Sequence, residues 1–222
     1  KAESDYDSAF AVNVKGTENL VEGCKEIGAV LIHISTDYVF GGDASVPYKE
    51  DAPKSPLGVY GVTKLQGEDA VINSGCRYII FRTAWLYSPY GNNFVKTMMK
   101  LTKEKDSLKV VSDQVGSPTY AGDLADFILF AIAKGPVQGI YHFTNEGVIS
   151  WYDFTQAIAF LAGNACDIKP CSSKEYPAKA SRPHYSVLDK SLVNIKDKIR
   201  IEENGNTLLF YRASDEKLVH HC

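Results

Sequence analysis

Residues 29–36 read Ala29-Val30-Leu31-Ile32-His33-Ile34-Ser35-Thr36. An apolar run this short and nearly continuous, closing on small hydroxyl residues, is the pattern of a strand covered on both faces. Such strands belong to parallel sheets layered with helices. The flanking segments agree. Upstream, Asp5 to Gly28 carries Phe10, Val14, Leu20, Val21, Cys24 and Ile27 at helical spacing, with Gly28 placed as a stop. Downstream, a loop rich in Gly, Pro and Asp runs from Phe40 to Pro56. A helix is expected over roughly Leu57 to Asn73, followed by Gly75 and a second covered strand, Tyr78-Ile79-Ile80-Phe81-Arg82.

The alternation continues along the chain. Asn92 to Lys103 reads as a helix and Leu108 to Val111 as a short strand. Gly122 to Lys134 reads as a helix and Gly139 to Phe143 as a strand. Ser150 to Ala162 is a further helix, with Ser150 and Asp153 spaced as a capping box. Repeated helix and strand predict an α/β fold with a doubly wound parallel sheet, Rossmann-like. From Asp167 the chain carries Pro170, Pro177 and Pro183 and reads as an irregular small lobe rather than more sheet. Past Lys196, Ile199-Arg200-Ile201 and Leu208-Leu209-Phe210-Tyr211 flank a polar turn, the pattern of a hairpin, and the end reads as a tail. The expected organisation is a partial Rossmann-like domain over 1–165, a substrate lobe over 166–196 and a divergent tail over 197–222.

The 222 residues are 45% hydrophobic and 23% charged with a net charge of −3, ordinary for a soluble globular chain. That balance points to no nucleic-acid partner and no membrane partner. The opening Lys1-Ala2-Glu3-Ser4-Asp5 is too polar for a secretory signal. Five scattered cysteines, Cys24, Cys76, Cys166, Cys171 and Cys222, make no CxxC pair and no zinc spacing. Reduced thiols, a cytoplasmic location and no metal are expected.

The chemistry rests on Thr36, Tyr60 and Lys64. Thr36 follows the end of a covered strand, the edge where parallel sheets bind ligands. Tyr60 and Lys64 are four apart near a helix start and share a face. This set suits carbonyl reduction, in which charge develops on oxygen and a donor supplies a proton. A free tyrosine titrates near 10. A neighbouring ammonium and the helix N-terminus are expected to lower it, and a hydroxyl such as Thr36 holds the developing oxyanion. A bare Tyr-x-x-x-Lys also arises by chance, and Thr in Ser-Thr-Asp reads as well as a turn cap. The agreement of strand end, loop, helix and spacing favours catalysis.

At these residues the chain resembles the dTDP-4-dehydrorhamnose reductases, NAD(P)H-dependent ketoreductases of the extended short-chain dehydrogenase type. His33-Ile34-Ser35-Thr36-Asp37-Tyr38-Val39-Phe40-Gly41 resembles their STDYVF-G signature, and Tyr60-Gly61-Val62-Thr63-Lys64-Leu65-Gln66-Gly67-Glu68 their YGKTKLxGE helix. Tyr48-Lys49-Glu50-Asp51-Ala52-Pro53, Asn13 to Leu20, Arg82-Thr83-Ala84-Trp85-Leu86-Tyr87, Asn93-Phe94, Asp113 to Thr119 and Ser181-Arg182-Pro183 continue the likeness. The resemblance implies Tyr60 as proton donor, Lys64 as its partner and as holder of the nicotinamide ribose, and Ser35 beside the cofactor, NADPH or NADH. It implies Thr36 at the substrate oxygen, Asp37 on the sugar, Trp85 against the deoxysugar nucleotide and Arg182 at the diphosphate. Gln114 and Thr119 would lie near the nucleotide, and Asn13 would anchor the sheet. Trp85 reads equally as a core residue, and Arg182 as a solvated one.

The implied reaction is reduction of the C4 ketone of a dTDP-4-dehydro-6-deoxy-L-sugar to dTDP-L-rhamnose, with a homodimer among the assemblies the resemblance allows. Two other readings stay open. Nucleotide-sugar epimerases and dehydratases share the Thr-Tyr-Lys set, though without an Asp37-Tyr38 pair. The regulatory subunit of methionine adenosyltransferase resembles the same family and is not a sugar reductase. No Gly-x-x-Gly-x-x-Gly loop for a pyrophosphate follows a strand in these residues, nor is the family's closing amphipathic helix evident after Lys196.

Overall fold

A computed structural model describes residues 2–135, 137–176 and 181–193. The helices are α1 (Tyr6–Phe10), α2 (Gly16–Ile27), α3 (Val59–Ile72), α4 (Phe94–Glu104), α5 (Ala121–Lys134) and α6 (Trp151–Leu161). The strands are β1 (Val30–Thr36), β2 (Arg77–Thr83), β3 (Leu86–Tyr87), β4 (Ser107–Val111), β5 (Val115–Gly116), β6 (Thr119–Tyr120), β7 (Gly139–His142), β8 (Ile149–Ser150) and β9 (Asp167–Cys171).

The central sheet is parallel, in the order β1-β2-β7. Helices cover both faces, as the apolar strands demand. On one face Leu31 and Ile80 pack with Val21 of α2 and Val71 of α3. On the other, Ile79 and Phe81 pack with Leu124 and Phe127 of α5. Burying such side chains is worth roughly 1.5–3 kcal/mol each. The layered α/β class is therefore as expected, and helix α6 starts on the expected capping box of Ser150 and Asp153.

Three local readings are corrected. The helix expected from Asp5 to Gly28 is interrupted by a π-helical stretch, Ala11–Lys15. Its backbone presses on α3, where a Cβ at Gly67 would stand 2.5 Å from the Asn13 carbonyl. The strand near Leu108 does not join the central sheet: β4 pairs in parallel with β9 as a separate two-stranded sheet. Residues 167–171, expected to be irregular, are therefore a strand. Pro170 is tolerated because β9 pairs on one side only, so its missing N–H interrupts no second ladder.

The segment 183–189 threads between two loops. Tyr48 N–H donates to the Val187 carbonyl at 2.9 Å and Asp189 N–H to the Tyr48 carbonyl at 2.7 Å. On its other side Val115 N–H donates to the His184 carbonyl and Ser186 N–H to the Val115 carbonyl, each at 2.8 Å. Leu188 closes a small core with Val39, Phe40 and Tyr48. This seam brings the stretch containing Arg182 against the end of β1. The hairpin and tail suggested beyond Lys196 lie outside the described residues. Among the described residues no helix is long and apolar enough to cross a membrane, no cluster of metal-binding side chains occurs, and Cys24, Cys76, Cys166 and Cys171 are free thiols.

Candidate active site

β1 and β2 end side by side, with Thr36 in register with Thr83. Beyond their carboxyl ends lies a cleft of about 220 Å³. Its walls are Ser35, Thr36, Asp37 and Tyr38 from the end of β1, Tyr60 and Lys64 from α3, and Thr83, Ala84 and Trp85 after β2. The sheet edge and the first turns of α3 thus bring together the residues expected to carry the chemistry.

Thr36 caps a turn, as one of its two readings has it, and lines the cleft. Its hydroxyl oxygen accepts from Tyr38 N–H at 3.2 Å, capping a short 3-10 turn, Asp37–Val39, and its O–H donates to Asp37 Oδ1 at 2.9 Å. Tyr60 stays 39% exposed, so its ring faces the open cleft. Tyr38 meets it edge-on, with ring centroids 5.7 Å apart. Lys64 Nζ donates to the Ile34 carbonyl at 2.6 Å, which fastens α3 to β1 and aims the ammonium at the strand end. An ammonium has three donors, and this carbonyl takes one.

The expected acidification of Tyr60 is not what the geometry produces. Burial raises its phenol above the ordinary tyrosine value, a hydrogen bond with Thr36 lowers it, and the Asp37 carboxylate raises it again. Lys64 has its own affinity for a proton lowered by burial, against an opposing pull from Glu68. The phenol is therefore fully protonated at neutral pH.

Asp37 is nearly fully buried. Burial pushes its carboxyl up to about 6, against hydrogen bonds from Thr36 and Ser186 that favour the ion. Two further groups at this edge, Ser35 Oγ and Thr83 Oγ1, are buried without a hydrogen-bond partner. Buried polar atoms are rarely left unpaired, so they mark a place built for something polar.

Trp85 forms the far wall. Among the described residues it is the one non-glycine with a left-handed backbone, φ 50°, a conformation that costs about 1 kcal/mol. Its ring stacks on Trp151 at the start of α6, centroids 3.4 Å apart and planes 7° from parallel. The exposed Arg182 lies with its guanidinium carbon 5.9 Å from the Trp151 ring. Gly116 makes this possible, since a Cβ there would meet the Trp85 indole at 2.6 Å.

Beneath the site sits a fully buried ion pair. Arg82 Nε and Nη2 donate to Glu68 Oε1 and Oε2 at 2.9 and 2.7 Å, and Nη1 donates to the Glu50 carbonyl at 2.9 Å. This fork joins β2 to α3. Asn13, expected to anchor the sheet, instead donates from Nδ2 to Thr63 Oγ1 at 3.0 Å, so it holds the helix. Gln114 and Thr119 are buried beside β5 and β6 and do not line the cleft. Sequence reasoning missed Trp151, whose spacing marks only the start of a helix. It also missed the pairing of Glu68 with Arg82, which are 14 residues apart on different elements.

Residues 1–208 match the family model described as the RmlD substrate binding domain. A dTDP-4-dehydrorhamnose reductase from Aggregatibacter actinomycetemcomitans is 43% identical over 201 residues, covering 85% of this chain and 68% of that protein. The crystal structure of a dTDP-4-dehydrorhamnose reductase from Clostridium acetobutylicum superposes with a TM-score of 0.85 at 45% identity, covering 88% of this chain and 69% of that one. A Bacillus anthracis enzyme of the same name, solved in complex with NADP, gives 0.83 at 40% identity, covering 87% and 69%. The chain thus spans about two thirds of the length of the relatives it matches.

Proposed function

The chain belongs to the dTDP-4-dehydrorhamnose reductase family, whose RmlD substrate binding domain it matches over residues 1–208, and from this membership we propose that the complete protein reduces the C4 ketone of dTDP-4-dehydro-6-deoxy-L-mannose with NADPH or NADH in the cytoplasm. The observation that carries the reading is the cleft shared by Thr36, Tyr60 and Lys64 at the paired ends of β1 and β2.

The residues present fit the nicotinamide-ribose end of such a cofactor. Ser35 Oγ and Thr83 Oγ1 are orphaned polar atoms at the cleft, and the Lys64 ammonium has donors beyond the one given to Ile34. No glycine-rich phosphate loop is among these residues, so the fit extends to that end alone. When bound, the dihydronicotinamide supplies a hydride to C4 of the sugar. The protein's part is the proton. A phenol held protonated at neutral pH gives its proton to the ketone oxygen as the C4–H bond forms, and the product is the alcohol of dTDP-L-rhamnose. Thr36 steadies that oxygen when its hydroxyl turns from Asp37 to donate to it. Lys64 steadies the tyrosinate left behind, and its ammonium favours that ion more strongly once water is excluded. Trp85, backed by the stacked Trp151, offers an aromatic wall for the deoxysugar nucleotide, and Arg182 a guanidinium suited to a diphosphate. In this reading residues 1–165 carry the catalytic set and 166–196 the substrate lobe.

The test is direct: incubate the complete protein with the 4-keto sugar nucleotide and follow reduced-cofactor absorbance. Stoichiometric consumption with formation of dTDP-L-rhamnose is expected. Turnover of the sugar without net cofactor consumption would assign an epimerase or dehydratase instead.

A further inference from the structure

Helix α3 carries Tyr60 and Lys64, yet its first turn has no cap of its own. The N-cap position is Gly58, and no acidic residue lies in the first turn. The carboxylate comes from Glu3, in the short 3-10 turn Ala2–Ser4 ahead of α1. Val59 N–H donates to Glu3 Oε2 and Tyr60 N–H to Glu3 Oε1, each at 3.2 Å. One side chain satisfies two of the four amides that a helix start leaves unpaired. It also sets negative charge at the positive end of the helix dipole. Gly58 leaves the room: a Cβ there would stand 2.8 Å from Glu3 Oε1.

Two other contacts hold the same turn. Asn13 bonds the Thr63 hydroxyl, which in turn donates to the Val59 carbonyl at 2.9 Å. Gly61 packs against the Tyr38 carbonyl, where a Cβ would come within 2.3 Å. The Thr63 hydroxyl also meets the Tyr60 carbonyl at 3.2 Å, and among these contacts the one that takes the N–H of residue 60 is the Glu3 fork. Together with the Thr63 bond to the Val59 carbonyl, it fixes the peptide between residues 59 and 60, from which the phenol projects into the cleft.

We infer that Glu3 is a positioning residue for Tyr60, holding the first turn of the catalytic helix by a carboxylate fork across the amides of residues 59 and 60. The inference rests on the reading of Tyr60 as proton donor. It acts through geometry: a proton donor displaced by an ångström loses about a hundredfold in rate, and a frayed first turn moves it by a fraction of that.

The test compares the complete wild-type protein with Glu3→Ala and with Glu3→Ala/Gly58→Asp, whose new carboxylate caps the helix from the N-cap position. Amide hydrogen exchange reads the fork without reference to activity. In Glu3→Ala, exchange at Val59 and Tyr60 should rise about tenfold or more while Ile79 and Ile80 in β2 stay unchanged. The kcat for NADPH-dependent reduction should fall about tenfold with KM within about twofold, and Gly58→Asp should restore most of it. Unchanged exchange at residues 59 and 60 in Glu3→Ala overturns the fork. Faster exchange with wild-type kcat, or no rescue by Gly58→Asp, overturns the positioning role. A wild-type protein that consumes no NADPH overturns the reductase reading instead and the positioning role with it, and the exchange data then judge the fork by itself.

Discussion

Trp85 and Trp151, 66 residues apart by their numbers, lie face to face with ring centroids 3.4 Å apart. The pair leaves the Trp85 indole no way to retreat, because Gly116 backs it so closely that a Cβ would reach Cε2 at 2.6 Å and Nε1 at 2.7 Å. In Gly116→Ala the indole and the Ser186 hydroxyl, whose Oγ a Cβ would meet at 2.7 Å, must both shift. Overpacking of this kind costs about 1–3 kcal/mol. The expected result is a KM for the sugar nucleotide raised about tenfold with kcat changed much less. Steady-state kinetics on Gly116→Ala checks it; an unchanged KM would mean that Trp85 takes no part in holding the substrate.

Arg82 and Glu68 are both fully buried, and each relies on the other. Glu68→Gln leaves a guanidinium without its counter-ion away from water, and breaking one partner of such a pair costs about 3–5 kcal/mol. Replacing both by apolar residues, Glu68→Leu with Arg82→Met, should cost less than the single change, although Arg82 would also give up its bond to the Glu50 carbonyl. Urea denaturation of the wild type and the two variants decides the point. A double variant less stable than Glu68→Gln would show that the charges themselves are needed.

Acid stability follows from three buried groups. Burial, with the nearby Lys64, depresses His33 to about 4, and burial, with Arg82, depresses His142 to about 4. An unfolded histidine takes its proton near 6.5. The stability gained by keeping these two neutral is complete above pH 6.5 and is lost as the pH falls through 4. Asp37, raised by burial to about 6, acts the other way. Its contribution is complete below the unfolded value near 3.9 and is lost as the pH rises through 6. Near pH 5 the three groups leave a net uptake of about one proton on unfolding, or about 1.4 kcal/mol per pH unit. Asp37→Asn should steepen that slope to about two protons. Denaturant titrations from pH 6.5 to 4.5 measure it, and an unaltered slope in Asp37→Asn would show that Asp37 does not hold its proton there.

Tyr60→Phe removes the hydroxyl proposed as proton donor and keeps the ring beside Tyr38. Turnover should fall by more than about a hundredfold, the usual scale for loss of a general acid, with KM nearly unchanged. A variant turning over at close to the wild-type rate would end the assignment of this phenol. Because burial raises the phenol's pKa, the wild-type rate should show no loss of the tyrosine proton until the pH exceeds the ordinary value near 10.

The run from Ala29 to Thr36 was enough to place a covered strand, because its apolar side chains must face helices on both sides of a sheet. Gly28 after a helical pattern and Ser150 with Asp153 marked helix ends for equally local reasons: a left-handed backbone suits glycine, and a short oxygen-bearing side chain reaches the next free amide. The joint placing of Thr36, Tyr60 and Lys64 was legible too, since i,i+4 spacing and a strand end are both local facts. Tertiary structure decided what depends on partners distant in the chain. Pro170 suggested a break, yet β4 offered residues 167–171 a ladder that needs no second neighbour. Lys64 was expected to acidify Tyr60, but desolvation depends on everything packed around a group, and it carries the phenol the other way. Glu3 at α3, Trp151 on Trp85 and Glu68 around Arg82 are contacts made across the fold, so no periodicity records them. Sequence determines the elements through short-range sterics and hydrophobic spacing, whereas charge, burial and the exact wall of a cleft are sums over neighbours that only the folded chain brings together.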